Sequence, residues 1–430
     1  MRTAAVLAVA VALLAVASAL PAYTRTVRYD GEKVFRCQFG PQRAVNSAMY
    51  RLIIDQGLDI WGRTEDYIDV RVKKAQFAEP TVRNLMSRCD VLHADLEAVM
   101  AEADAKFLAR REAKKAEWFE DYHTYDEIKA WYEDLANTYS DFATFIDSIG
   151  TTLEGRDQFA FTFTSSNGTA LKPKIFFQCQ IHAREWISGA TCGYVINELL
   201  STYGSNDEVT AILDAVEFVV IPIQNPDGYA YTWSNDRLWR KNRNPNTGGC
   251  AGVDLNRNYN DHWGQGGSSS SPCSDTYMGP SANSELEVQN AIAFFKANAP
   301  VIGGIDWHSY SQLILRPYGW TRNDSPDEAQ LKALGDGMRE AIREVHGVSY
   351  TSQKSIELYT TTGTASDWFY GEEATETNDG YRAAGFTIEL RDTGRYGFEL
   401  PAEQIIPTGE ECFQAVLFFV SELVANPIKA

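Results

Sequence analysis

Basic charge, histidine and long apolar stretches are all scarce in this sequence. Its 430 residues carry 39 Lys plus Arg against 58 Asp plus Glu, a formal net charge of −19. Phosphates gather on basic surfaces, so nucleic acid and anionic membranes are excluded as general partners. Beyond Ala22 no stretch is long and apolar enough to span a bilayer. No Cys-x-x-Cys pair occurs among the seven cysteines, which argues against metal binding by them. No internal repeat is visible. Aromatic residues, by contrast, are plentiful (21 Tyr, 21 Phe and 10 Trp), and a mainly disordered chain is thereby excluded.

The one long apolar run lies at the N-terminus. Arg2 precedes apolar residues from Ala4 to Ala17, and Ala17-Ser18-Ala19 is a small-x-small cleavage pattern. This is the layout of a signal peptide over residues 1–19, and an Ala-rich run with a small-residue exit favours cleavage over a membrane anchor. A secreted, extracellular protein is expected, with disulfides permitted among Cys37, Cys89, Cys179, Cys192, Cys250, Cys273 and Cys412. Seven is odd, so at least one thiol is left over, and spacing leaves the pairing open. Asn167-Gly168-Thr169 and Asn323-Asp324-Ser325 are sequons compatible with secretion, the second weakened by Pro326.

The charge is unevenly spread. Residues 1–115 hold 18 Lys/Arg and 14 Asp/Glu, a net of +4, leaving 21 and 44, a net of −23, for residues 116–430. Lys33–Phe39 and Tyr67–Val72 alternate as strands around a helical Ala44–Asp55, and Pro80 to about Glu117 reads as helical. Arg110-Arg111 and Lys114-Lys115 then sit on an expected exposed connector, a candidate processing site between a small domain and a larger one. Beyond residue 120, strand candidates Ile175–Ile181, Val216–Ile223, Val301–Trp307 and Gly385–Leu390 alternate with helix candidates Tyr125–Tyr139, Ile187–Tyr203, Glu285–Asn298 and Asp327–Val345. Ser284 with Glu287 makes a capping box for the third of these helices. The alternation predicts an α/β domain with a mixed, largely parallel sheet flanked by helices. The loop-rich stretch Asn235–Asn283 is long enough to be functional.

Only six histidines are present. A carboxylate three residues from a histidine occurs by chance about 1.6 times at this composition, so the three such pairs, Asp90/His93, Glu120/His123 and His182/Glu185, carry nothing by spacing alone. Context separates them. His182 and Glu185 follow the apolar strand Lys174–Ile181 and precede a helix, and His308 ends the strand Val301–Trp307. Carboxyl ends of strands are where α/β sheets gather ligand-binding residues. Two histidines and a carboxylate there make a three-ligand metal site with an open position, since a closed structural zinc would need four ligands. Glu389 ends a third strand and is available for acid/base work. Arg184, Arg240 and Arg257, with Asn256, flank the same segments and suit recognition of a carboxylate.

The motifs His182-Ala183-Arg184-Glu185-Trp186, Arg237-Leu238-Trp239-Arg240, Asp254-Leu255-Asn256-Arg257-Asn258, Asp306-Trp307-His308-Ser309-Tyr310 and Glu389 through Phe398 resemble those of metallocarboxypeptidases of the carboxypeptidase A/B type, in order and near their spacing, over about residues 120–425. The resemblance implies a secreted, zinc-dependent exopeptidase acting on peptide and protein C-termini. It implies zinc on His182, Glu185 and His308, a ligand set inherited from the family rather than read from spacing. Glu389 becomes general base for water activated by zinc, and Arg240 stabilises the oxyanion. Asn256 and Arg257, assisted by Tyr359, hold the terminal carboxylate, while Arg184, Ser309 and Tyr310 line further subsites and Asp254 orients a ligand histidine. Disulfides Cys250–Cys273 and Cys179–Cys192 match family members; Cys37 with Cys89 would then leave Cys412 free.

Thr364-Ala365-Ser366 fall at the base of the specificity pocket, where enzymes that remove Lys or Arg carry a carboxylate. Release of hydrophobic or aromatic residues is therefore expected, with acidic residues as the alternative if Lys354 points into the pocket. Residues 20–111 resemble the family's activation segment, an α+β domain ahead of a catalytic domain at 112–430. That segment is expected to inhibit the enzyme until an activating protease cuts near Arg110–Lys115. A monomer is expected. Two rival readings are a catalytically silent secreted binding protein of the same fold, against which Glu389, Arg240 and the ligands all stand, and a zinc amidase on non-peptide substrates, which the Asn256-Arg257 clamp disfavours.

Overall fold

The computed structural model describes residues 23, 25–40, 43–113, 117–168, 171–245 and 249–430. The expected signal peptide, Lys114-Lys115 and Thr169 of the first sequon lie outside the described residues.

Residues 23–113 form a lobe around an antiparallel sheet of β1 (Lys33–Gln38), β2 (Asp59–Arg63), β3 (Tyr67–Val72) and β4 (Asp90–His93), in the order β2-β3-β1-β4. Side chains alternate across a strand, so one face collects Phe35, Cys37, Ile68, Val70 and Val72 over Ile53, Leu85 and Met86 of the helices Arg43–Asp55 and Pro80–Met86. The opposite face collects Asp59, Asp69 and Arg71, all buried. Charged residues survive there because they are paired: Asp69 with Arg36, Arg71 with Glu32 and Asp59, and Asp59 also with Arg184 of the second lobe. The expectation of continuous helix from Pro80 is corrected: Asp90–His93 pairs with β1 as a strand before the helix Leu96–Ala113 begins. Tertiary pairing overrode a weak local pattern.

The second lobe contains an eight-stranded sheet. Its strands are β5 (Ala143–Ile146), β6 (Ala160–Phe163), β7 (Lys174–Cys179), β8 (Glu217–Ile221), β9 (Val301–Ser309), β10 (Leu313–Arg316), β11 (Thr351–Lys354) and β12 (Ala384–Leu390), in the order β11-β10-β12-β9-β7-β8-β6-β5. The central four, β12-β9-β7-β8, are parallel and buried on both faces, which is why they read as unbroken apolar runs. The helices Trp186–Thr202, Glu328–His346 and Ile405–Ala425 contribute to the larger core. Leu286–Ala297 and Ala365–Tyr370 contribute to the core that holds Phe176, Val219 and Ile221. The mixed α/β class holds.

Two local expectations are corrected. The helix after Ser284 has no side-chain cap: Ser284 donates to Glu285, and Glu287 is turned inward to Asn242. Arg110 and Arg111 sit within the helix Leu96–Ala113, where they pair with Asp121 and Glu127 and are only about a quarter exposed rather than lying free on a connector. Cys37–Cys89, Cys179–Cys192 and Cys250–Cys273 are bonded, and Cys412 is free and buried. Among the described residues no helix is long and apolar enough to cross a membrane.

Candidate metal centre and cleft

Three parallel strands aim their carboxyl ends at one place. The loop after β7 carries His182 and is pinned by Gln180, whose Nε2 donates to the carbonyls of His182 and Ala183. Glu185 stands at the N-cap position of the helix Trp186–Thr202, and the Cys179–Cys192 bond ties the strand end to that helix. His308 lies inside β9, one residue before its end, and Glu389 is its register partner on β12.

His182 Nδ1 lies 2.9 Å from Glu185 Oε1, His308 Nδ1 lies 3.0 Å from Glu185 Oε2, and the two Nδ1 atoms are 3.0 Å apart. All three side chains are buried. Each imidazole gives its Nε2 to a carboxylate: His182 to Asp254 Oδ1 at 3.0 Å and His308 to Asp306 Oδ2 at 2.7 Å. With Nε2–H committed to those carboxylates, both Nδ1 lone pairs and the Glu185 carboxylate converge. That donor set fits a divalent zinc ion, and Asp254 and Asp306 fix the tautomers that present it. The two imidazoles hold the Glu185 carboxyl well below the usual range against the opposing effect of burial.

Asp254 was expected to orient a ligand histidine, and it lies 3.0 Å from His182 Nε2. The matching part of Asp306 went unread, although Asp306 and His308 stand two apart on a strand and so share a face. Gln178 of β7 donates to the other Asp306 oxygen and holds it in place.

Arg240 donates to Asp254 Oδ2 from Nη2 at 3.0 Å and lies 3.5 Å from Glu185. Burial pushes the Glu389 carboxyl up to about 8, with His308 pulling it down and Glu185 adding to the rise. A cation held by Glu185 and His308 would draw it back toward the ionised form. Arg257 donates to Tyr359 Oη at 3.3 Å. Asn256 takes the Ala365 N–H on Oδ1 and leaves Nδ2 3.1 Å from His308 Nε2, which already donates to Asp306. Ser309 is buried with its hydroxyl unpartnered.

Two nominated residues are engaged by the N-terminal lobe instead. Arg184 grips Asp59, and Tyr310 Oη donates to Asp69, which also receives Arg36. No residue of β2 was singled out from the sequence. Thr387 donates to Ser366 at 2.9 Å, both buried. The Lys354 ammonium donates to Asp324 and to the Arg322 carbonyl, so its charge is already answered.

A zinc carboxypeptidase family model matches residues 128–415. A carboxypeptidase B of Astacus astacus is 45% identical over 316 residues, covering 72% of this chain and 97% of that protein. Carboxypeptidase A1 of Bos taurus is 36% identical over 379 residues, covering 86% and 88%. The crystal structure of thrombin activatable fibrinolysis inhibitor superposes with a TM-score of 0.78 at 30% identity, over 92% of this chain and all of that one. The chain therefore belongs to the zinc carboxypeptidase family and is a metallopeptidase of the A/B type, an exopeptidase that takes peptide C-termini as substrate.

Proposed function

We propose that the protein is secreted as a zymogen whose residues 20–111 are an inhibitory pro-segment, and that the enzyme at 112–430 releases hydrophobic or aromatic C-terminal residues. The observation that carries the catalytic reading is the convergence of the His182, Glu185 and His308 donor atoms beside Glu389 and Arg240. Zinc, when bound there, polarises the scissile carbonyl and acidifies water. The other parts fall to the chain's own residues. Glu389 accepts the proton of the attacking water and passes it to the leaving nitrogen. Arg240, held by Asp254, aims its guanidinium at the developing oxyanion. Arg257, Tyr359 and the Asn256 amide take the terminal carboxylate, which restricts cleavage to the last bond. Ser309 and Tyr310 border the sites before it.

The zymogen reading is supported by the N-terminal lobe, which occupies Arg184, Tyr310 and the Tyr359 ring at once. Secretion is supported by the 1–19 pattern and by three disulfides. The preference for apolar residues is supported by a pocket base without a free charge: Ser366 and Thr387 bond each other, and Asp367 accepts the Gly319 N–H and is pushed by burial up to about 8. The acidic-residue alternative loses its cation to Asp324.

The test is limited proteolysis between residues 110 and 116, followed by a panel of blocked dipeptides with and without a chelator. The trimmed protein is expected to release Phe and Leu faster than Lys, Arg or Glu, to stop with chelator and to recover with zinc. Equal turnover by uncut protein would refute inhibition by the pro-segment, and activity that survives chelation would refute the zinc mechanism.

A further inference from the structure

Glu285 stands at the N-cap position of the helix Leu286–Ala297 and is 1% exposed. A side-chain oxygen there ordinarily accepts N–H groups of the first turn, but this one makes no such bond. Its Oε2 instead accepts Asn242 Nδ2 at 2.7 Å and Asn244 Nδ2 at 2.9 Å, and its Oε1 accepts the Ser284 hydroxyl at 2.7 Å. Asn242 is fully buried. Its Oδ1 accepts the Val253 N–H at 2.8 Å and its own N–H reaches the Val253 carbonyl at 3.1 Å, which turns its amide nitrogen toward Glu285. Arg240 stands two residues before Asn242, and Asp254, which holds Arg240, follows Val253. On the other side is Asn258, next to Arg257. Asn258 accepts the Glu285 N–H on Oδ1 at 3.1 Å, donates from Nδ2 to Ser284 Oγ at 2.9 Å, and accepts the Asn283 N–H on its carbonyl at 2.7 Å.

One buried residue thus ties the segment of Arg240 to the segment of Asn256 and Arg257. Both segments lie between Asn235 and Asn283, where the described residues contribute no strand to the sheet. The ladder therefore does not fix their separation, and side-chain bonds must. On the reading of Arg240 as the partner of the oxyanion and of Asn256 and Arg257 as the carboxylate clamp, we propose that Glu285 is a positioning residue that sets the distance between the two. That distance decides how far the free carboxylate stands from the bond that is cut. In an α-amino acid the carboxylate carbon is two bonds from the scissile nitrogen; one more methylene moves it by about 1.5 Å. Misplacement by about 1 Å can cost about 10²-fold in rate, so a rigid pair of segments rejects the longer residue and a loosened pair does not.

The test uses full-length protein trimmed between residues 110 and 116, and two blocked dipeptides, one ending in Phe and one in β-homophenylalanine, whose carboxylate lies one methylene further out. Glu285→Ala removes both acceptor oxygens. Glu285→Gln keeps the volume but replaces one oxygen by an NH2 group, so either the two asparagines or Ser284 lose their acceptor. Both variants are expected to lower the preference for Phe over the longer residue by about tenfold or more in kcat/KM. The loss on Phe should fall on kcat with KM little changed, because the clamp still binds while Arg240 no longer meets the oxyanion. Asn242→Ala should act alike and add little to Glu285→Ala, since both break one link. A residue that only supported the fold would lower both substrates in proportion to the protein folded. No gain of the longer substrate on Phe in any variant overturns the proposal and leaves the catalytic reading standing. Full turnover of the Phe substrate by Arg240→Ala overturns the reading on which it rests. If Glu285→Ala does not fold, Glu285→Gln and Asn242→Ala decide by the same ratio.

Discussion

Three carboxylates illustrate how position sets chemistry at the scale of one residue. Glu185 faces two imidazoles and stays ionised, whereas Glu389, one strand over from His308, is opposed by burial and by Glu185. General-base removal commonly costs about 10²–10⁴-fold, so Glu389→Gln is expected to lower kcat by that factor while metal analysis still finds one zinc per chain. Retained turnover would take the base role from Glu389. The third, Glu287, is fully buried, with Oε1 unpartnered and Oε2 3.3 Å from Asn242 Nδ2. Burial first, and then Glu285 and Asp227, raise its carboxyl from 4.5 to about 7. The folded state thus holds a proton that the unfolded chain releases above pH 4.5. Its stabilising effect is complete below pH 4.5 and is lost as pH rises through about 7, up to about 3 kcal/mol by linkage. Denaturant unfolding at pH 5 and pH 8 should show Glu287→Gln with a shallower loss of stability than the unaltered protein; parallel slopes would exclude Glu287 as the source.

At the scale of the element, β2 joins the N-terminal lobe to the second lobe through Asp59 and Arg184. Removing one partner of a buried ion pair leaves the other uncompensated, commonly at about 3–5 kcal/mol. Asp59→Asn keeps the shape of the side chain and removes its charge. Uncut Asp59→Asn protein is expected to hydrolyse a small blocked dipeptide at least tenfold faster than the uncut parent, measured before any proteolysis, and unchanged latency would show that other contacts suffice. The sequence allowed no such reading of β2. Its five residues include a glycine, two charges and a bulge between Ile60 and Gly62, so no clean alternation marks them as a strand. Asp59 takes Trp61 and Arg71 from its own lobe, but its pairing with Arg184 and the packing of Trp61 on Phe398 are made with surfaces more than a hundred residues away. The cluster of candidate metal ligands was legible for the opposite reason: His182 with Glu185, His308 and Glu389 each lie within or beside a short segment at the end of an apolar strand. Ser284 and Glu287 had the spacing of a cap, but buried polar contacts with Asn242 claimed Glu287 first. Short-range patterns fail where a distant partner offers a better bond.

At the scale of the whole molecule, the sequence divides into a +4 part and a −23 part, yet their contacts do not simply follow those signs. Arg110 and Arg111 of the N-terminal lobe pair with Asp121 and Glu127, as the net charges favour, but at the cleft the acidic partner is Asp59 and the basic one Arg184. Much of the remaining attachment is uncharged: Tyr23 packs on Trp186 and Trp233, and the Thr26 and Val27 amides donate to Asn235. Salt screens charges separated through water far more than buried pairs. On the proposed zymogen reading, a pro-segment freed by a cut near residue 110 should therefore rebind more slowly in salt while leaving at nearly the same rate. Stopped-flow measurement of substrate hydrolysis while the cleaved pro-segment is added back, at 0.05 and 0.5 M NaCl, is expected to give an association rate that falls by about tenfold and a dissociation rate that changes by less than about twofold. A dissociation rate that rose as steeply as association fell would mean that exposed ion pairs, and not the Asp59–Arg184 bridge and the Tyr23 aromatic contacts, hold the two lobes together.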